Sequence, residues 1–420
     1  MQDSNQDPNK GPNQGPKIVD IAIVGGGLIG ATMALAAVRE GFTAVVIERQ
    51  SFSQLIDQCF DGRAYAVARS SRKLLEHIGV WRAIAESAQP IADILVSDSS
   101  VGEKASGFFL RLNHSELGPE GFGHMVEDHT LRKALLRALQ QADGGSMRDL
   151  SEVADLEVNA PGGAVLKMTS GENIYAKLVI GADGKNSKIA QRIQANKINY
   201  DYAQIGLVSC VRHEKHHHGV AHELFLPSGP FAILPLKGGH RSSLVWTERA
   251  DLASAYAHMD DDTYLGEVAR RFGTFLGRIE LDGGRWTYPL SVMIRESLYA
   301  QRLALIGDAA RAIHPIAGQG MNYGFRDIGV FVHELSRAAD RGEDIGGTTT
   351  LARYQRRRQP DNVAVAASTH ALNMLFSNDI GPLRAIRRIG VSAFGKIAPL
   401  RRAAMAAAAG EQNLLPAFMR

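Results

Sequence analysis

The residues with the clearest chemical potential lie in LALIGDAARAIHPIAGQGMNYGFRD, from Leu303 to Asp327. A short apolar run, Leu303 to Ile306, ends in Gly307-Asp308. That order predicts a buried strand delivering one carboxylate to the carboxyl end of a sheet, where α/β folds bind ligands. His314-Pro315 stops any helix, and Gly318-Gln319-Gly320 opens a new one. Glycine there lets backbone approach a ligand with no Cβ in the way. An acid for ribityl or ribose hydroxyls, then a helix N-terminus for partial negative charge, suits a flavin. Gly318, Gly320, Met321 and Asn322 are therefore candidate cofactor contacts, the last three through backbone N–H groups. His314 is the one weak candidate for acid–base work, and its plainer reading is a structural imidazole bonded to a backbone carbonyl.

A second motif lies far upstream. Asp20 to Val24 reads as a strand, Gly25-Gly26-Gly27-Leu28-Ile29-Gly30 as a turn, Ala31 to Glu40 as a helix, and Thr43 to Ile47 as a second strand. Gly25 makes the tight turn, Gly27 admits a pyrophosphate, and Gly30 lets helix and sheet approach. Glu48, closing the second strand, can accept from the adenosine ribose, and Arg49 adjoins it. The fingerprint alone does not separate FAD from NAD; Gly307-Asp308 does, because a nicotinamide domain has no use for a second acid downstream. Asp61-Gly62-Arg63 supplies a guanidinium for phosphates. Lys177 to Ser187, KLVIGADGKNS, repeats the strand-then-acid order and adds Asp183.

Together the fingerprint, DGRAYAVA, GADGKNS and GDAARAIHP resemble the single-component flavoprotein aromatic hydroxylases built on the para-hydroxybenzoate hydroxylase fold. HPIAGQGMNYGFRD resembles the ubiquinone-biosynthesis branch, as does the pattern from Tyr354-QRRR through Asn373-MLF to Ala409-Gly410. The resemblance covers residues 18 to 410. Two positions depart from it. Ala190, with Arg192 two residues on, stands where the family often has Arg, which bears on the nicotinamide contact. Arg311 stands where His is common.

The resemblance implies non-covalent FAD, NAD(P)H as electron donor, and O2. Oxygen adds at flavin C4a, and the hydroperoxide hydroxylates the ring of a polyprenylated phenol. It implies Asp308 on the ribityl chain and Arg63 on the pyrophosphate. Phe225, Phe231, Leu234 and Pro235 are expected to face the substrate, with ordinary sheet core as the competing reading. A quinone-biosynthesis enzyme complex is a candidate partner. Two other functions fit the same motifs: a flavin hydroxylase or epoxidase for another apolar aromatic or isoprenoid, and a catalytically silent flavin-binding scaffold.

The elements that must position these residues give an α/β expectation: a Rossmann-type FAD-binding domain with an inserted β-rich substrate domain and a helical C-terminal region. The expected boundaries are a disordered tail over 1–17, a discontinuous FAD-binding domain over 18–90, 125–197 and 290–345, a substrate domain over 91–124 and 198–289, and the helical region over 346–420. A single helix is expected from Ser70 to Ala85, with Leu74, Leu75, Ile78 and Trp81 on one face. From Asp201 to Pro289 short β-rich runs dominate, with Lys237-Gly238-Gly239-His240 as a hairpin turn.

Composition narrows the rest. With 45% apolar and 22% charged residues, the 420-residue chain is ordinary for a globular protein. A formal net charge of +3 does not point to nucleic acid. Two cysteines, Cys59 and Cys210, exclude a disulfide framework. His213, His216, His217, His218 and His222 cluster in a polar stretch that reads as a solvated turn, so no metal is expected. No apolar run is long enough to span a bilayer and no leader pattern precedes the first strand, so a cytoplasmic protein is expected. Residues 380–410 carry Arg384, Arg387, Arg388, Lys396, Arg401 and Arg402 with no acid, interleaved with apolar residues. Such a segment suits peripheral contact with an anionic membrane or a cover over the nucleotide domain.

Overall fold

The computed structural model describes residues 18–57, 60, 62–98, 101–102, 109–118, 120–160, 162–378, 397–411 and 415–420. The expected tail, Cys59, Asp61 and most of the basic segment lie outside the described residues. The apolar runs form the strands of one mostly parallel sheet: β1 (Ile18–Val24), β2 (Ala44–Ile47), β8 (Gly145–Arg148), β9 (Val153–Ala160), β10 (Gly163–Met168), β11 (Asn173–Gly181), β17 (Tyr299–Ala300) and β18 (Leu303–Leu305). Its main order is β17-β18-β11-β1-β2-β8, and β9 and β10 continue antiparallel from β11. β18, β11, β1, β2 and β8 are mutually parallel. Burial on both faces explains the apolar runs of β1, β2, β11 and β18, whereas β8 at the sheet's edge is half-exposed and carries no Val, Ile or Leu.

A second, eight-stranded sheet contains β5 (Asp93–Asp98), β6 (Phe109–Asn113), β12 (Lys197–His213), β13 (Val220–Leu226), β14 (Gly229–Leu236), β15 (Arg241–Arg249), β16 (Ile279–Arg295) and β19 (Arg311–Ala312). Its order is β19-β16-β12-β15-β14-β13-β5-β6. A small third sheet joins β3 (Ala64–Ala68), β4 (Gln89–Pro90) and β7 (Gly123–Glu127). The two segments between Asp93 and Asn113 and between Lys197 and Arg295 thus meet in one sheet although separated in sequence.

Among the described residues ten α-helices clothe these sheets: α1 (Leu28–Arg39), α2 (Phe52–Ile56), α3 (Arg69–His77), α4 (Trp81–Ile84), α5 (Asp128–Gln141), α6 (Ala250–His258), α7 (Asp261–Phe272), α8 (Gly320–Asp340), α9 (Thr348–Phe376) and α10 (Ala398–Ala409). The helix expected from Ser70 to Ala85 is broken: Gly79 adopts φ +76°, which ends the first turn set and restarts the chain as α4. α6 and α7, hidden in a block read as β-rich, cover one face of the second sheet. Leu207, Leu224, Phe231, Trp246, Tyr264, Val268 and Phe272 form the core between them. The larger core sits around the first sheet, where Ile21, Ile23, Val46, Leu178, Phe325 and Phe331 pack together. Within the basic C-terminal segment, Met405 and Ala409 of α10 are buried, Arg401 pairs with Glu116 at 2.8 Å, and Ile397 and Leu400 are exposed.

Candidate functional site

Four neighbouring parallel strands end in register. Leu305 of β18 is level with Gly181 of β11, Gly181 with Val24 of β1, and Val24 with Ile47 of β2. The residues that follow are Gly307-Asp308, Asp183, the glycine turn and Glu48, so one sheet edge gathers acids from 260 positions of chain (Glu48 to Asp308). This is the edge at which parallel sheets bind ligands.

The glycine turn is dictated by contact. Gly25 has φ +108°, and a Cβ on it would lie 2.5 Å from the Ala182 carbonyl oxygen. A Cβ on Gly30 would lie 1.8 Å from the Gly25 carbonyl oxygen, so α1 sits on the turn only because residue 30 has none. Gly27, the N-cap of α1, is different: a Cβ there would meet nothing within 4 Å. Its bareness serves no neighbour within the chain and leaves room for a ligand at a helix N-terminus. Glu48 is half-buried; its Oε2 accepts from the Gly26 N–H at 2.7 Å and its Oε1 from the Gln50 N–H at 2.9 Å. Arg49 beside it is exposed.

Asp308 lies on the tight Gly307 turn (φ +60°). Its side chain is open to solvent, yet protein surrounds it, the combination expected of a group lining a deep cleft. Burial raises its pKa, the Asp327 charge adds to the rise, and Arg311 and Lys185 oppose it. The turn is held from below by Asp327, a fully buried carboxylate. Its Oδ2 accepts from the Gly307 N–H at 3.0 Å and from Arg311, and its Oδ1 accepts from Arg358 Nε at 2.7 Å. Arg358 also pairs with Asp361 at 2.6 Å, and Tyr354 Oη donates to the Leu305 carbonyl at 2.9 Å. The Tyr354-QRRR pattern on α9 is thus a brace beneath the acid-bearing turn. From residue types alone Asp327 and Arg358 were not singled out; their only sequence signal was membership of the two quoted motifs. Ile29 of α1 fits against Gly307 and Gly324, where Cβ atoms would approach to 3.1 and 2.5 Å, and this locks both halves of the site together.

α8 begins at Gly320 with no side-chain cap on its N-terminus. The N–H groups of Gly320, Met321 and Asn322 stand in its first turn, where helices leave amides unpaired. A Cβ on Gly320 would meet nothing, and Gly318 has φ +60°. The Asn322 side chain does other work: its Oδ1 accepts from the Ala68 N–H at 3.0 Å and Ser71 Oγ at 2.7 Å, and its Nδ2 donates to the Ala66 carbonyl at 2.7 Å. It staples α8 to β3 and α3. Sequence reasoning assigned Asn322 a backbone role and missed this one.

Other expected residues distribute less simply. Asp183 Oδ2 accepts from the Lys188 N–H at 2.8 Å and so closes its own loop, while its Oδ1 is buried with no partner. Arg63 lies 3.7 Å from Asp128 with its side chain 43% exposed. His314 is fully buried, and burial lowers its pKa to about 4. Its Nδ1 accepts from the Ile316 N–H at 3.3 Å, so it is not bonded to a backbone carbonyl as expected; the loop turns its amide, not its carbonyl, toward the ring. The four expected pocket residues split. Alternation along a strand sends successive side chains to opposite faces. Phe231 lies in the core against Trp246, and Pro235, four residues on, shares its face. Phe225 and Leu234 lie on the opposite face, Phe225 stacked on Phe376 with ring centroids 4.1 Å apart. The clustered histidines bond locally: His213 to the Lys215 carbonyl and Ser242, His217 to the Leu236 carbonyl.

An open glycine cradle at Gly27, an uncapped helix N-terminus at Gly320, an enclosed but accessible acid at Asp308 and an unpartnered Asp183 oxygen fit a dinucleotide laid along this edge. Comparison with known proteins agrees. A family model described as "FAD binding domain" matches residues 18–369. The ubiquinone hydroxylase UbiL of Rhodospirillum rubrum is 40% identical over 95% of this chain and 91% of its own. The 3-demethoxyubiquinol 3-hydroxylase of Escherichia coli is 34% identical over 93% of this chain and 98% of its own. Among solved structures, the p-nitrophenol 4-monooxygenase PnpA of Pseudomonas putida shares the fold with a TM-score of 0.76 at 17% identity, covering 93% of this chain and 98% of its own. The likeness therefore runs through the braced acid turn, the glycine cradle and the second sheet alike, and the chain belongs to the family of FAD-dependent monooxygenases that contains the ubiquinone hydroxylases.

Proposed function

We propose that this chain hydroxylates the aromatic ring of a polyprenylated phenol in ubiquinone biosynthesis, using NAD(P)H and O2. One observation supports it most: the inner face of the second sheet is apolar where it lies across from the 314–322 loop, with Phe225, Val96, Ile316 and Phe376 clustered there. The relatives named for ubiquinone chemistry match nearly the whole chain.

When bound, FAD supplies electron transfer from NAD(P)H and activation of O2. The chain's part is to bind, orient and dry. Asp308 would accept from the ribityl hydroxyls and Glu48 from the adenosine ribose, with Arg49 adjoining it in sequence, and Arg63 would pair with the pyrophosphate. Asp183 borders the same edge. N–H groups of Gly320, Met321 and Asn322 would donate to the electron-rich pyrimidine end of the flavin, where the helix N-terminus favours negative charge. Apolar walls keep water from the activated oxygen, and their rigidity holds the ring within reach. No helix of the described residues is long and apolar enough to cross a membrane, so an insoluble prenylated substrate must be collected from a surface or a partner. Exposed Ile397 and Leu400 beside Arg402, in a segment without acids, suit contact with an anionic bilayer or a quinone-biosynthesis complex.

The test is direct. The FAD-reconstituted protein, given NAD(P)H and O2, is expected to oxidise NAD(P)H faster with prenylated phenols and to release a product carrying one added ring oxygen. Stimulation by other aromatics with none by prenylated phenols would move the assignment to a different substrate; absence of bound flavin would remove it.

A further inference from the structure

The inner face of the second sheet carries an acid, Glu223, that the mechanism above does not use and whose carboxyl no described residue pairs with. Glu223 sits in the middle of β13, level with Val96 of β5 and Ala232 of β14. Ala232 is level with Val245 of β15, Val245 with Val208 of β12, and Val208 with Trp286 of β16. The row is a floor of Val, Ala and Val with an indole at one end and the carboxyl set between Ala232 and Val96 near the other. Residues level across a sheet point to the same side. Two positions along, Phe225 belongs to the cluster with Val96, Ile316 and Phe376; two positions back, Ala221 belongs to the cluster with Leu234, Ile94 and Ala66. Ile316 is part of the 314–322 loop, and Ala66 is the nearest atom to a Cβ placed on Gly318, at 3.8 Å. Glu223 is therefore bracketed by Phe225, which clusters with Ile316 of the loop where the flavin's pyrimidine end would rest, and by Ala221, whose cluster reaches Ala66 beside Gly318.

Its carboxyl has no hydrogen-bond or ion-pair partner among the described residues, and it is surrounded by protein while still partly open to solvent. Asp308 shows the same combination. An unpaired acid in an apolar cleft costs stability unless something binds it. Burial alone raises its carboxyl to about 7, with no neighbouring charge contributing. The other titratable and charged groups on this face of the surrounding strands are Asp98 on β5, Cys210 and Arg212 on β12, Arg241 and Arg249 on β15, and Asp282 and Tyr288 on β16, with His314 in the loop; Arg241 pairs with Asp282 and Glu127, Arg212 with Asp282, and Arg249 with Asp251. Burial pushes Cys210 and Tyr288 up to about 12 and His314 down to about 4, so none of these three changes charge near neutrality.

We propose that Glu223 is the hydrogen-bond partner and proton acceptor of the substrate's phenolic hydroxyl, an inference that rests on the phenol reading above. The phenolic O–H bond breaks as the Glu223 O–H bond forms, and the electron pair left on oxygen enriches the ring for attack on an electrophilic oxygen. After one atom of O2 has joined the ring, the ring carbon's hydrogen leaves to solvent as a proton and Glu223 returns its proton to the phenolic oxygen. The second oxygen atom leaves as water, with NAD(P)H as reductant. A base titrating near the working pH suits this transfer.

The experiment uses the FAD-loaded protein with 2-geranylphenol as probe, read by perturbation of the flavin absorbance and by product formation. A charged acceptor binds a hydroxyl more tightly than a neutral one. Wild type is expected to bind the probe about tenfold more tightly at pH ~8 than at pH ~6, a difference of about 1.4 kcal/mol. Glu223→Gln, checked for bound FAD as the folding control, is expected to lose that pH dependence and about a hundredfold of its product formation. Glu223→Asp is expected to retain the pH dependence. Equal affinity at both pH values in wild type, or the same dependence in Glu223→Gln, overturns the assignment. Wild type that binds the probe with the expected pH dependence yet makes no hydroxylated product sinks the hydroxylase reading while leaving Glu223 as the phenol's partner. Product formation unchanged in Glu223→Gln sinks the acid's role and leaves the hydroxylase reading standing.

Discussion

Replacing Asp327 with Asn tests whether the buried brace governs the flavin site. Both carboxylate oxygens of Asp327 accept only from donors: Gly307 N–H and Arg311 on one side, Arg358 Nε on the other. Asn keeps the volume but sets an NH2 group against one of those donors and removes the charge. Arg358 retains Asp361 at 2.6 Å. Arg311 has no second carboxylate bonded to it among the described residues, and its Nε is already buried without a partner. Breaking a buried pair costs about 3–5 kcal/mol, and the retained Asp361 contact argues for the lower end, about 3 kcal/mol. Only part of this reaches the ligand, through loosening of the Gly307 turn that aims Asp308. FAD affinity should fall at least about tenfold, or ~1.4 kcal/mol. The assay is titration of apoprotein with FAD by quenching of flavin fluorescence, paired with a melting curve at saturating FAD. A chain of this size need not unfold in two states, so the melting curve is read for direction only. An Asp327→Asn protein that binds FAD within about twofold of wild type and melts with it would refute the brace.

The glycines separate packing from binding. Gly30→Ala should destabilise the apoprotein, since its Cβ would fall 1.8 Å from the Gly25 carbonyl oxygen, whereas Gly27→Ala should leave apoprotein stability unchanged and abolish FAD binding; the paired melting and FAD titrations check both. Asp308→Ala should weaken FAD binding by about 1–3 kcal/mol by leaving enclosed hydroxyls without an acceptor, and Glu48→Ala should cost less because its site is half-open; equal affinities in all three proteins would contradict the assignment. His314 has a folded pKa of about 4, below its unfolded value, so the unfolded chain binds more protons as pH falls from ~6.5 to ~4 and stability is lost over that window. His314→Gln should therefore show a shallower fall in melting temperature than wild type between those limits, and identical slopes would show that the imidazole does not stay neutral in the fold. The triple change Arg384→Glu, Arg387→Glu and Arg388→Glu should remove salt-sensitive binding to anionic vesicles while FAD content is kept, each charge contributing about 1 kcal/mol near the surface; vesicle binding like wild type would make this segment a cover or docking element.

Local chemistry made much of this protein legible from its sequence. Gly25, Gly27 and Gly30 announce the nucleotide turn because each answers a short-range demand: a positive φ, an empty space, a close helix. Asp308 and Glu48 are legible because a strand that ends in an acid presents it at a predictable edge. Family resemblance carried the flavin chemistry, on motifs whose order along the chain is linear information. What failed did so where the answer lay across the chain. Phe231 and Pro235 looked equal to Phe225 and Leu234, and only the pairing register put them on the helix-covered face. Helices α6 and α7 were lost in a β-rich block, since their burial is set by the sheet they cover. The break at Gly79 depended on one residue adopting a left-handed backbone inside an otherwise helical pattern. Asp327 with Arg358, Asn322 with β3, and Glu223 in its apolar row were invisible for one shared reason: a buried polar group acquires its meaning from partners, or from their absence, and those are decided only when distant segments meet.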